Sequence, residues 1–498
     1  MLILLPLQET LRNLPWLVVL LVAGSGSGSG PLWGLVGLVI AILAGTLRWF
    51  TTTYRIAPDQ VQVRRGLLRR RSLTVLRDRL RTVDLTAHIL HRMLGLASIT
   101  IGTGRSDRKD ERGLKLDGLS ASEAAWVQQE LLHRSAATEP QMAAGATIAP
   151  SETELARWHP RWIGYGPFTL SGAVTVLAVV GFGFQIVNEV HLNVTRLGPV
   201  HGLLQDLGSV STAAATLAAV VAAAIVISAA STFGYILAFW NFRLIRQVGT
   251  VQVTRGLLTN RVITIDERRL RGVELSEPLL LRWVHGARCI AIATGLRVGR
   301  GSERGGSMLV PPSPRAVAEG VTAMILGASG PVHCQLLKHG PVARRRRYTR
   351  VLLATIPLLL VFLVAWRLGA VPAWPWQVML GLAAVGVALA RDRYRSLGHA
   401  VVGGLLVTRS GSLVRRRCML SADGIIGWNL HQSFFQRRAR VVTLIATTAA
   451  GRQAYRLQDL SLPEAVRVAE ASRPGLLTPF LESARTASPD SVEARAAG

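Results

Sequence analysis

Long uncharged apolar runs occur in pairs along this chain, and no other feature limits its possible folds so sharply. They cover residues 14–24 and 31–49, then 168–187 and 212–240, then 351–365 and 376–390. A run of about 20 apolar residues suits a membrane span. Lipid satisfies no backbone hydrogen bond, so such a span must be a helix or belong to a closed barrel. The overall hydrophobic share, 49%, would also suit a large soluble protein; the clustering argues for lipid. The reading is about six spans in three hairpins, over 12–50, 161–241 and 344–393. A signal peptide is the competing reading of the first run, and Glu9 with the lack of a basic head before it argues against that. No ionisable residue stands well inside the runs, which disfavours an ion-coupled transporter.

Between the hairpins the chain repeats itself. VQVRRGLL at 61–68 returns as VQVTRGLL at 251–258. The same offset lays Arg81-Thr82-Val83-Asp84 on Arg271-Gly272-Val273-Glu274 and, after one inserted residue, Gly104 on Gly295. Carrying Gly66 onto Gly411 gives a third frame, in which Asp78 meets Asp423, Leu85 meets Leu430, Arg92 meets Arg437 and Thr103 meets Thr448. The period far exceeds the roughly 20 to 50 residues of a solenoid, so each copy is expected to be a small domain, over 51–135, 242–328 and 394–472. Period-two alternation, as at Val61 and Val63 or Ile99 and Ile101, predicts strands. Ser120 with Glu123, and Ser461 with Glu464, have capping-box spacing and predict a closing helix; residues 313–325 carry a weaker form. Residues 136–160 read as a linker and 473–498 as a disordered tail rich in Ala, Ser and Pro.

The formal net charge of +28 suggests nucleic acid at first sight, but its placement points to a membrane surface. Arg and aromatic residues cluster at the same end of every hairpin: Arg48-Trp49, Arg157-Trp158 with Arg161-Trp162, Trp240 with Arg243, Arg344 to Arg347 with Tyr348, and Arg391, Arg393, Tyr394 and Arg395. The connections at the other ends carry little charge, Glu189, Arg196 and Asp206. The positive-inside bias then puts all three repeats in the cytoplasm. Three cysteines without CxxC spacing suggest neither a disulfide framework nor a zinc site.

The repeated segments also carry a family pattern. Arg65-Gly66-Leu67-Leu68, Asp78-Arg79-Leu80-Arg81-Thr82-Val83-Asp84 and Leu90-His91-Arg92-Met93-Leu94-Gly95-Leu96 together resemble the bacterial pleckstrin-homology (PH) domain of the membrane-flanked type. The three-copy arrangement is similar to the YdbT group of multi-pass bacterial membrane proteins. The third copy departs from the pattern, with Arg409-Ser410-Gly411 in place of R-G-L-L and no glycine opposite Gly95. The resemblance implies an α-helical multi-pass protein of the bacterial cell membrane bearing three cytoplasmic α+β PH-like domains. Each would be a bent sheet or barrel of about seven strands capped by a helix, without catalytic residues.

The residues agree with a non-enzymatic role. The chain has no G-x-x-x-x-G-K-[ST], H-E-x-x-H or G-x-S-x-G motif, so no catalytic, cofactor-binding or metal-binding residue is expected. His88 and His91 are read as structural or surface residues. The Gly102-Thr103-Gly104 turn has no phosphate-loop continuation and recurs as Ala293-Thr294-Gly295, a strand-end turn. What remains is basic surface: Arg64, Arg65, Arg69, Arg70 and Arg71 around the Gly66 turn, and Arg415, Arg416 and Arg417 at the matching place in the third copy. Beside an anionic leaflet each such residue is worth about 1 kcal/mol; the competing reading is a solvated hairpin. The second copy has only Arg255 and Arg261 there, leaving it freer to meet a protein partner. The expected function is a membrane scaffold that binds inner-leaflet lipid, a protein partner or both; the alternative is a component of a transport or export system. Nucleic-acid binding is disfavoured by the lack of a recognition helix or an RNA-binding aromatic motif.

Overall fold

The computed structural model describes residues 53–56, 60–65, 71–76, 82–87, 92, 95–102, 114–120, 122–124, 126–127, 152–169, 212–296 and 307–476. The chain divides into two compact units, Met1–Asp266 and Glu267–Gly498. The first apolar pair, the third apolar run beyond Thr169, the GSGSGSG tract, His88, His91, Arg69 and Arg70 lie outside the described residues, as does the tail from residue 477.

In the first unit β1 (Thr53–Ile56), β2 (Gln60–Arg65) and β3 (Arg71–Leu76) form an antiparallel sheet, and β4 (Thr82–Ala87), β5 (Leu96–Gly102) and β6 (Leu114–Ser120) form a meander. The expected capping box follows β6: Glu123 N donates to Ser120 Oγ at 3.1 Å, and Ser120 N donates to the Glu123 carboxylate at 3.0 Å. The Ser120 backbone N–H, and after it the Ser120 hydroxyl, hold the Glu123 carboxyl below its ordinary range. Next come β7 (Thr153–Arg157), the helix α1 (Thr212–Phe239), β8 (Arg243–Gln247), β9 (Thr250–Arg255) and β10 (Asn260–Asp266). Thr153–Arg157, inside the stretch expected to be a linker, thus form a strand that pairs with β8. In β9 burial alternates residue by residue, with Val251 and Val253 inward as their spacing predicts.

The second unit begins with β11 (Leu270–Pro278), the one-turn helix α2 (Leu279–Trp283), β12 (Gly286–Ala293), β13 (Met308–Pro314), α3 (Arg315–Leu326) and α4 (Gly330–His333). Two long helices follow, α5 (Gly340–Arg367) and α6 (Trp374–Arg395), then β14 (Gly398–Val402), β15 (Leu405–Ser410) and β16 (Val414–Ser421). The unit closes with β17 (Gly427–His431), the one-turn helix α7 (Phe434–Arg438), β18 (Val442–Thr447), β19 (Ala454–Leu460) and α8 (Leu462–Ser472), capped by Ser461 as its spacing predicts. One core holds Leu406, Leu420, Leu444, Leu457 and Val468, joining β14–β16, β17–β19 and α8. Another holds Leu275, Ala318, Val407 and Met419 under α3.

The sheets do not follow the repeat boundaries. Self-contained copies are expected from the sequence, yet the strand order β6-β5-β4-β10-β9-β8-β7 joins the second half of the first repeat to the first half of the next. The order β13-β12-β11-β16-β15-β14 does the same for the strands on either side of α5 and α6. Each meander ends in an open edge whose N–H and C=O groups need partners, and here the next repeat supplies them. Gly256 and Gly411 both have a left-handed φ, +114° and +104°, and in each a Cβ would fall 2.0 Å from the carbonyl oxygen three residues later.

Among the described residues two helices are long and apolar enough to cross a membrane, Val221–Phe239 within α1 and Gly340–Arg367, which is α5. They correspond to the fourth and fifth expected spans; the sixth is the 22-residue α6, which packs antiparallel on α5. Away from their charged ends α5 and α6 expose apolar side chains, among them Leu353, Leu360, Val361, Val378 and Val385, as a surface that meets a membrane or a partner does.

Candidate functional site

Where α5 and α6 come together at their charged ends, the two Arg clusters form a single cleft of about 1030 Å³. It is lined by Lys338, Arg344, Arg345, Arg391 and Arg395, with Tyr348, Tyr394, Thr349, Pro341 and Leu352, and no acidic residue is among the lining. Helical period explains the selection. Positions 341, 344, 345, 348, 349 and 352 form an i, i+3, i+4 stripe on α5, and 391, 394 and 395 do so on α6. The apolar stretches beyond bring the helices into close contact: a Cβ on Gly386 would lie 2.6 Å from Val351 Cγ1, and Trp366 meets Trp376 at 5.7 Å at the other end.

The remaining arginines of the same clusters face the sheets and fix the cleft. Arg346 and Arg347 are buried and pair with the buried Asp459 at 2.9 and 3.0 Å; Arg347 also donates to the Gln458 side chain at 2.9 Å. Just before α5, His339 Nδ1 lies 2.6 Å from the Gln458 carbonyl, and its Nε2 lies 3.2 Å from His399 Nδ1. Burial pushes His339 down to about 4, against a smaller upward pull from its bond to Gln458, and burial lowers His399 as well. On the α6 side Asp392 accepts from Arg282 at 3.2 Å and Arg415 at 3.1 Å. Arg409 donates to the Ser396 and Arg395 carbonyls. Both feet of the hairpin are thereby bolted to β-structure.

The expected lipid-contact residues fall into two groups. Arg64 and Arg65 lie on β2 and Arg71 on β3, with Arg65 opposite Arg71 in the ladder. Arg415, Arg416 and Arg417 lie within β16 instead of a turn, and their guanidiniums are engaged inside the protein. Arg415 binds Asp392, Arg416 binds Glu274 at 3.1 Å, and Arg417 donates to the Pro331 and Cys334 carbonyls at 3.0 and 2.9 Å. Strand pairing with β11 explains the difference, because it sets Arg415 opposite Glu277, Arg416 opposite Ser276 and Arg417 opposite Leu275.

Glu274 is buried and receives a second pair of bonds from Arg452, at 3.0 and 3.3 Å. Beside it burial, reinforced by the carboxylate, raises the Cys418 thiol well above its ordinary range and keeps it unreactive. At the corresponding place in the first unit, burial raises the Asp84 carboxyl while Arg261 and Arg255 pull it back. Arg255 is itself buried over the Phe239 ring at 5.2 Å, and burial lowers it to about 10. These acid and Arg groups are structural.

In the sequence the cleft arginines stand out only as topology signals, and nothing marks Lys338. Their meeting was legible, because the two clusters flank one hairpin. The split of Arg344 to Arg347 between cleft and sheet was not, since it depends on where Asp459 sits.

The bacterial PH domain model matches residues 5–135 and 348–474, together more than half of the chain. The chain belongs to the bacterial PH domain family. It is 20% identical over 454 residues to the UPF0699 transmembrane protein YdbT of Bacillus subtilis (strain 168), with 88% of each chain covered. No solved structure matches it. Antiparallel sheets with closing helices are consistent with PH-like domains, and the apolar helices and the transmembrane relative are consistent with a membrane location.

Proposed function

We propose that this bacterial PH protein is a non-enzymatic, multi-pass membrane scaffold whose α5–α6 foot binds the phosphate-bearing headgroup of an anionic lipid. The observation that carries the reading is the cleft itself, with five cations, two tyrosines and no acid at the end of a helix able to span a bilayer. Basic pockets between membrane helices suit anionic headgroups, and each cation near such a surface contributes about 1 kcal/mol. Tyrosine rings fit the headgroup level. In this reading the chain makes six spans, its three PH-like repeats face the cytoplasm, and Arg64, Arg65 and Arg71 supply a second contact with the same leaflet. Repeated domains on one chain give a scaffold avidity for lipid or for a protein partner.

The test places a photoactivatable benzoylphenylalanine at Tyr394 in the full chain, held in vesicles of phosphatidylglycerol and phosphatidylcholine. Adducts enriched in phosphatidylglycerol beyond its mole fraction are expected. Adducts in proportion to the two lipids would remove the headgroup site.

A further inference from the structure

The two internal junctions between repeats are built in one register. In the first, Ile263 lies opposite Asp84 and Arg261 opposite Thr86. In the second, Cys418 lies opposite Glu274 and Arg416 opposite Ser276. Under the sequence frames that lay Gly256 on Gly411 and Asp84 on Glu274, these are the same pairs. Their charges correspond too, since Arg261 acts on Asp84 and Arg416 binds Glu274.

Each half of that joint is also present once without its partner. Among the described residues, β3 is an outer strand of the sheet β1-β2-β3 and β17 an outer strand of β17-β18-β19. By the repeat frames β3 corresponds to β10 and β16, and β17 corresponds to β4 and β11. The β17 edge shows the exposure expected of a missing neighbour: Leu430 is 46% exposed, whereas its counterpart Leu275 is 2% exposed. Natural edge strands are usually blunted by Lys, Pro or a bulge. The residues of β17, Gly-Trp-Asn-Leu-His, include neither Lys nor Pro, and its ladder with β18 runs without a shift.

We infer that β17 of one chain takes β3 of a second copy of this chain, making a head-to-tail contact in the register of the internal junctions. That register sets Asn429 opposite Leu73, Leu430 opposite Ser72 and His431 opposite Arg71. The internal joints show that this edge fits a strand of the β3 type, and β3 of the same chain stands in a separate sheet, so the occupant is another copy. The contact joins two different surfaces, so it builds a closed ring, the smallest being a reciprocal pair, or an open row. Asn429 replaces the acid of the internal joints, which leaves this joint without their ion pair and weaker than they are. It does not depend on lipid in the cleft.

Two differently tagged full-length chains co-expressed in one membrane test it, one carrying Asn429→Cys and the other Leu73→Cys. Leu430→Cys with Ser72→Cys is a second in-register pair should Leu73→Cys fail to fold. Asn429→Cys with Ser72→Cys is the control, because adjacent strand positions point to opposite faces. Oxidation is expected to give a disulfide-linked hetero-tagged dimer several-fold more abundant for an in-register pair than for the control or the wild type. No such dimer from either in-register pair, as pairing of β17 with β3 of its own chain would give, or equal yield from the control would overturn the inference.

Discussion

His339 shows how a single buried group ties this protein to pH. Its ring sits between the Gln458 carbonyl and His399, with the Glu464 carboxylate 3.8 Å from His399 and the Arg347 guanidinium close by. A histidine whose folded pKa is depressed stabilises the fold fully above its unfolded value, about 6.5, and that stability is lost as pH falls toward the folded value, here about 4. The burial cost makes the neutral form the folded one; acid must therefore either leave the ring unprotonated or open the site. Unfolding of the detergent-solubilised chain should thus become easier between pH 6.5 and 4.5, by at most roughly 3 kcal/mol for this group. His339→Gln, which keeps a donor for Gln458, should flatten that slope. Equal slopes for the two proteins would exclude His339 as the source.

At the scale of elements, the seating of α5 depends on one carboxylate. Asp459 is buried in a left-handed conformation, φ 61°, and receives both Arg346 and Arg347. Asn tolerates that backbone and keeps the shape, so Asp459→Asn isolates the charge. Leaving two buried guanidiniums without a counter-ion should cost about 3–5 kcal/mol, read as a lowered denaturant midpoint; a change below about 1 kcal/mol would contradict that role. The elements themselves were largely legible. Val251 and Val253, the counterparts of Val61 and Val63, face inward, the Ser120 and Ser461 caps are in place, and Gly295 turns the chain after β12 with φ 90°. The third frame, weakest in identity, keeps conformation where it lost glycine: opposite Gly95 at φ 64° stand His285 at 53° and Arg440 at 52°. What was hidden is pairing between elements. Period-two patterning shows which face of a strand is buried and says nothing about which neighbour fills its edge, so neither the shared sheets nor the internal use of Arg415 to Arg417 could be read from spacing.

In the second unit the α5–α6 hairpin carries charged feet, and the strands around them hold those feet in place. The sequence clusters already implied a membrane surface; the fold adds that helical period divides them, so Arg344 and Arg345 line the cleft while Arg346 and Arg347 lock it to the sheet. The most direct measurement of the headgroup proposal is lipid retention. The full chain and the combined variant Arg344→Gln, Arg345→Gln, Arg391→Gln and Arg395→Gln would be purified in mild detergent from the same anionic membranes, and bound phosphatidylglycerol counted by native mass spectrometry. With each cation worth about 1 kcal/mol and about 1.4 kcal/mol per decade of affinity, the variant should lose retained lipid by at least about tenfold. Undiminished retention by a folded variant, or its loss on neutralising Arg64, Arg65 and Arg71 instead, would contradict the assignment of the cleft.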